Sequence, residues 1–284
     1  EEMSHIKSPE EKYEELRRFV EEKGRDGVVI AFSGGVDSST LAAIAHDVLG
    51  ERAVAVTARS PTYPAEEVEE AKRVAEVIGI GHYVIETNEL SNEDFVKNPE
   101  ERCYYCKREL LGHLQDFAKK LQFKAIFEGT NFSDLSGHRP GFNAIREREN
   151  VFSPWAEMGF TKEEIRELAK KLGLSVHDKL ALACLASRIP FGERITQERL
   201  SRVGRAEQLI KKISGVRQLR VRDHNGLARI EVDKSERSLL LNVETMNKIN
   251  MELKLMGFKF VTMDLEGYRT GSMLEMDRAK DHER

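Results

Sequence analysis

The sequence predicts an α/β fold: a doubly wound parallel sheet over residues 1–195, followed by a smaller α+β domain over residues 196–284. Short apolar, strand-like runs alternate with longer helix-like patterns through the first part. Near residue 195 the grammar changes to helix, strand, strand, helix, strand. A chain of 284 residues with 40% hydrophobic content is also long enough for two cores rather than one.

The first helix runs from Pro9 to Lys23, with proline in its first turn and Gly24 at its end. Strands follow at Val28–Phe32, Ala53–Ala58, His82–Glu86 and Lys124–Glu128, separated by helices at about 38–49, 65–79 and 105–121. Parallel strands need such crossovers, and a helix between each pair supplies them. Thr161 caps a helix over Lys162–Leu172 that stops at Gly173. In the second part, a helix at about 197–213 leads into "VRQLRVRDHNGLARIEVD", whose Asn225-Gly226 pair marks a tight hairpin. A helix at about 235–256, ended by Gly257, precedes the strand "FKFVTMDL". No repeat or low-complexity segment interrupts this order.

No stretch approaches 18 consecutive apolar residues, and residues 1–16 lack an apolar signal core. Membrane and secretory classes are therefore disfavoured and a cytoplasmic protein is expected. Three cysteines make a disulfide scaffold an unlikely design. The net charge is −4, unevenly shared: residues 196–284 hold 18 Lys and Arg against 14 Asp and Glu, while residues 1–195 hold 27 against 35. This excess suits a small anionic ligand in the second part. It is too small to indicate RNA.

The stretch "AFSGGVDSST" sits where the first sheet strand enters a helix. A loop there presents free backbone N–H groups and the positive end of a helix dipole, which favour a polyphosphate. Gly34 and Gly35 let the backbone approach closely; Ser33, Ser38 and Ser39 add hydroxyls; Asp37 caps the helix or helps hold a magnesium ion. An N-capped helix after a glycine turn is the plain alternative. No Gly-Lys-Ser/Thr follows, so this is not a Walker A loop. The S-G-G-x-D-S pattern resembles the PP-loop ATP pyrophosphatase superfamily. That resemblance implies a doubly wound PP-loop fold of the HUP kind, and a reaction in which pyrophosphate leaves and AMP is transferred to a substrate oxygen. It also implies adenine contacts from the backbone of Ala58, Arg59 and Ser60. Further along, "FEGTNFSDLSGHRPG" opens at the same sheet edge, so Gly129, Thr130, Asn131, Asp134 and Arg139 are candidates to line the nucleotide site. A surface loop rich in turn-formers would look similar.

Cys103 and Cys106 have C-x-x-C spacing, and Cys184 lies close to Arg188. Incidental thiols, a zinc site completed by His113, His138 or His177, and a 4Fe-4S cluster with three cysteine ligands all remain open on spacing alone. Taken with "GHRPG", "SRIPFG", "RVRDHNGLARIE" and "VTMDLEGYRTGSM", the chain resembles the LarE sulfurtransferases over nearly its whole length. These insert sulfur into the pyridinium dicarboxylate mononucleotide precursor of the nickel-pincer nucleotide. The resemblance implies a 4Fe-4S cluster on Cys103, Cys106 and Cys184 that passes on a sulfide from an outside source, with sacrifice of Cys184 as the alternative. A reactive thiolate needs a neighbouring cation, for which Arg188 and Lys179 are candidates.

Arg220 and Arg222 fall two apart on one strand and point to one face, with Arg229 opposite. Guanidiniums gathered this way suit a phosphate or carboxylate, and a solvated hairpin face is the alternative. The resemblance assigns Arg220 and Arg222, with Arg188, to the substrate, and implies a homo-oligomer whose neighbouring subunits complete the site. Trp155 either stacks on a pyridinium ring or packs in the interior. The expected chemistry is adenylation of a substrate carboxylate by ATP with magnesium, with Asp37 and Cys184 the catalytic residues, then displacement of AMP by sulfur delivered near Cys184. A tRNA thiolase, an amide-forming ligase using ammonia and a non-catalytic nucleotide binder are the rivals.

Overall fold

The computed structural model describes residues 7–136, 140–181 and 183–273. Among these the chain divides into two compact units, one from residues 7–60, 65–87, 103–136 and 140–181, the other from residues 61–64, 88–102 and 183–273.

The first unit holds five parallel strands: β1 (Val28–Ala31), β2 (Ala53–Arg59), β3 (Gly81–Glu86), β4 (Ala125–Phe127) and β5 (Val151–Phe152), in the order β3-β2-β1-β4-β5. Its helices include α1 (Pro9–Gly24), α2 (Val36–Leu49) and α3 (Ala65–Ile78). In the second unit the short α4 (Glu93–Val96) follows, before α5 (Arg102–Lys120) returns the chain to the first. There α6 (Gly141–Arg146), α7 (Pro154–Glu157) and α8 (Lys162–Lys171) complete it. Alternate strand residues face opposite cores, as the pleat requires. Val28 and Ile30 join α1, α2 and α8 through Leu16, Val20, Leu41, Ile44 and Ile165. Val29, Val54, Val56 and Ile126 join α5 and α6 through Leu111, Leu114 and Ile145. A parallel sheet covered on both faces follows. The carboxyl ends of β1 and β4 open side by side, where such sheets bind ligands.

In the second unit, β6 (Leu219–His224) and β7 (Leu227–Val232) form the hairpin, and β8 (Phe260–Met263) lies parallel to β7. Asn225 (φ 50°) and Gly226 (φ 93°) both take the left-handed conformation that a two-residue hairpin turn demands. α9 (Gln197–Ser214) buries Leu200, Val203, Ala206 and Ile210. α10 (Val243–Leu255) buries only Ile249 and Leu253.

Two elements depart from the sequence expectation. β5 has two residues, too few to show any periodicity. α10 begins at Val243 rather than 235, because Asn242 caps it by accepting from Thr245 N, and the apolar Leu239–Leu241 run belongs to a preceding 3₁₀ turn and loop.

Candidate functional site

The loop after β1 turns sharply at Gly34, whose φ is +72°. A Cβ there would lie 2.9 Å from the Ala71 Cα of α3. Both facts require glycine. Gly34→Ala is expected to lower stability by about 1–2 kcal/mol from the backbone conformation alone, with the clash displacing the loop, measurable as a lowered Tm with weakened ATP binding. No side chain caps the N-terminus of α2, so its first N–H groups remain available to an anion. Ser33 and Ser38 fix the loop instead: their hydroxyls lie 3.1 Å apart, Ser33 Oγ accepts from Gly35 N, and Ser38 Oγ accepts from Ser33 N. Ser39 is fully buried and its N–H already bonds Gly35 O, so it stands behind the loop.

Asp37 occupies the first turn of α2. Its Oδ2 accepts from Lys162 Nζ at 2.5 Å, while its Oδ1 is buried without a hydrogen-bond partner. Burial pushes the Asp37 carboxyl above its ordinary range, Lys162 opposes this, and the Asp134 charge adds to it. The orphaned oxygen and the neighbouring Asp134 are a donor set that fits a phosphate-bound magnesium ion. Gly129, at the end of β4, sits so close that a Cβ would lie 3.3 Å from both Asp37 Cβ and Ser38 N. Asn131 and Asp134 exchange two hydrogen bonds. Trp155 is fully buried, packs edge-on against Phe160 and donates its indole N–H to Asp37 O. It supports the loop from the core and offers no ring face to a ligand. Arg59, at the end of β2, is exposed and paired with Glu86 at 2.7 Å; Ala58 beside it is half-buried. Arg139 and His138 lie outside the described residues.

Cys103, exposed, and Cys106, half-buried, lie three apart in the first turns of α5. The next residue, Lys107, reaches the buried Glu128 at 3.0 Å. Glu128 also accepts from Thr130 Oγ1, Thr130 N and Ser153 Oγ. Burial alone would lower the Lys107 pKa, but Glu128 and, less strongly, Cys106 and Cys103 hold it above its ordinary value. Lys179 donates to Gly34 O and pairs with Glu67 and Glu70, so it braces the phosphate loop.

In the second unit, Cys184 opens the 3₁₀ turn Leu185–Arg188. Arg188 is 2% exposed and fully engaged: Nε and one terminal nitrogen fork onto Glu207 at 2.7 and 3.0 Å, and the other donates to Ala183 O, Cys184 O and Ser187 Oγ. Arg220 and Arg222 are both buried beside it, and burial together with the neighbouring guanidiniums lowers the pKa of each. Arg220 lies over the Tyr268 ring. Arg222 donates to Ser187 O, Glu231 and Ser272, with its Nε buried and unpartnered. Arg229 stands directly across from Arg222; Glu231 bridges the two cations and Asp264 takes Arg229 at 2.5 Å.

The structure therefore gathers Arg188, Arg220 and Arg222 around the Cys184 turn. Among the described residues, no three His, Cys, Asp or Glu side chains converge to hold a metal. Sequence reasoning missed Lys162, Lys107, Glu128 and Glu207. One signal was readable: a lysine at the first position of a helix opposes the macrodipole, and Lys162 is placed there.

Residues 9–102 match the NAD synthase family model. The chain is 44% identical to an uncharacterised protein of Synechocystis over 93% of this chain and 97% of that one. It is 34% identical to the pyridinium-3,5-bisthiocarboxylic acid mononucleotide synthase of Lactiplantibacillus plantarum over 87% of this chain and 88% of that one. To the NH₃-dependent NAD⁺ synthetase of Pyrococcus horikoshii it is 34% identical over 57% of this chain and 62% of that one. The NAD synthase likeness is partial, whereas the likeness to the Lactiplantibacillus synthase extends through both units, the arginine strand included. This chain belongs to the LarE-like branch of the PP-loop ATP pyrophosphatases.

Proposed function

We propose that this protein activates a carboxylate of pyridinium-3,5-dicarboxylate mononucleotide with ATP and replaces an oxygen by sulfur, a step toward the nickel-pincer nucleotide. The observation supporting this reading is the buried arginine cluster around the turn that Cys184 opens, a gathering of cations that suits an anionic substrate. The N–H groups at the start of α2, with Lys162, balance the charge of the triphosphate, and Asp37 with Asp134 would hold magnesium, which supplies charge neutralisation on the phosphates. The substrate carboxylate attacks the α-phosphorus and pyrophosphate departs. Sulfur then attacks the acyl carbon and AMP leaves, giving a thiocarboxylate. Arg220 and Arg222 would hold the substrate phosphate, while Arg188 shapes the turn.

The sulfur source is the three-thiol set. The resemblance argues for a sulfide carried on a 4Fe-4S cluster; among the described residues no three His, Cys, Asp or Glu side chains converge to hold a metal. The alternative is Cys184 itself: its thiolate forms a thioester with loss of AMP, and β-elimination then releases the thiocarboxylate, a proton leaving Cα and dehydroalanine remaining. The resemblance also argues for a homo-oligomer.

The test is an anaerobic preparation given ATP, magnesium and pyridinium-3,5-dicarboxylate mononucleotide, scored for pyrophosphate and for product in which oxygen has become sulfur. Cys184→Ala is expected to abolish sulfur transfer while pyrophosphate release stays within a few-fold. About four irons per chain would support the cluster; dehydroalanine at 184 would support the sacrificed thiol. The NAD synthase likeness favours one rival, an ammonia-using ligase. That rival predicts amide product and indifference to the cysteine substitutions.

A further inference from the structure

We infer that Glu207, buried on α9, is a positioning residue that locks the Cys184 turn to the arginine strand β6, so that the thiol and the anion-binding guanidiniums form one rigid frame. The inference rests on the proposed function, since it assigns what that frame is for.

The Glu207 carboxylate receives three donors from two places. The Arg188 fork comes from the Cys184 turn, and Val221 N at 3.0 Å comes from β6. β6 is an edge strand, so the Val221 N–H points away from the ladder and would otherwise need another partner. Val221 lies between Arg220 and Arg222. A second tie runs the other way, from Arg222 to Ser187 O. Glu207 thus stands as an anion among three crowded guanidiniums, those of Arg188, Arg220 and Arg222, each of which repels the others.

A buried ion pair is a poor source of stability, because desolvation of both charges offsets their attraction. An apolar side chain of similar size would fill the space at no such cost. What an apolar side chain would not do is cancel the mutual repulsion of the arginines or hold the Arg188 fork in a fixed plane. Without that fork, the Cys184 carbonyl and the Ser187 hydroxyl lose the donor that organises their turn. Reactions between bound partners are sensitive to displacements on the order of 1 Å, which lower rates by about a hundredfold. Placement is therefore the role that fits this arrangement.

The test uses the full chain carrying Glu207→Gln. ATP affinity is expected to stay within about 2-fold, while thiocarboxylate formed per pyrophosphate released falls at least tenfold, as activated substrate is lost to water. Arg188→Lys, which keeps the charge and loses the fork, is expected to uncouple the reaction in the same way and guards against a Glu207 variant that fails to fold. A readout independent of activity is alkylation of Cys184 by iodoacetamide in a Cys103→Ser, Cys106→Ser background, expected to quicken several-fold when Glu207→Gln is added. An unchanged coupling ratio with unchanged alkylation would overturn the inference, as would pyrophosphate release and sulfur transfer falling in parallel. If the unaltered protein released no pyrophosphate with the substrate, the proposed function would fail, and alkylation would still decide whether Glu207 fixes the turn.

Discussion

Asp37→Asn is expected to lower pyrophosphate release by about 100-fold or more and to leave the fold intact. The carboxylate faces Lys162 through one oxygen and leaves the other buried and unpartnered. Asparagine keeps the shape but removes the charge that would hold a cation against the phosphates. Stability should move the other way. Burial raises the Asp37 pKa, so the stabilisation linked to this group is fully present below its unfolded value near 3.8 and is lost as pH rises through the folded value. At neutral pH the ionised side chain is therefore a burden on the fold. Lys162 is about one-quarter exposed and can turn toward water when its partner is removed. The asparagine variant should show a Tm at pH 7 equal to or above that of the parent, the difference closing as the pH falls toward 4. A Tm that dropped with activity would make Asp37 a structural residue.

Arg222→Ala should be the most destabilising single change discussed, at about 3 kcal/mol, because it takes one of two cations from a buried carboxylate. Glu231 is 0% exposed and shares its two oxygens among Arg222, Arg229 and Ser272. Removing Arg222 also leaves Arg229 facing a gap across the hairpin. The paired substitution Arg222→Met with Glu231→Leu should recover most of the loss, since it removes both charges and keeps the volume. Urea unfolding would measure both, and substrate affinity would remain poor in the double variant if Arg222 binds the anion. Full recovery of binding along with stability would refute that assignment.

Much of this architecture is local and so is readable along the chain. The strands alternating with helices, the Thr161 cap and the Asn225-Gly226 turn each declare themselves within a few residues. The phosphate loop is equally legible, because glycines, hydroxyls and a carboxylate fall at one strand-to-helix junction. The partners of the candidate site are not local. Lys162 meets Asp37 across 125 residues, and Glu207 lies 19 residues from Arg188 on another element. Arg188 read as a substrate ligand because the sequence shows its charge and not the carboxylate that occupies it. Ser39 read as a loop hydroxyl because proximity in sequence does not show that the helix turns it inward. A solvated hairpin face is the plain expectation for Glu231's strand, whereas the described fold buries this carboxylate between two cations.

The cation facing Asp37 is supplied by the start of α8, and the indole that supports the loop comes from α7. Residues 9–102, the stretch that matches the NAD synthase family model, include neither. A nucleotide-binding module cut at that boundary, or a loop grafted from it into another scaffold, would bring its glycines without their counter-charge. A working transplant must extend through residue 171.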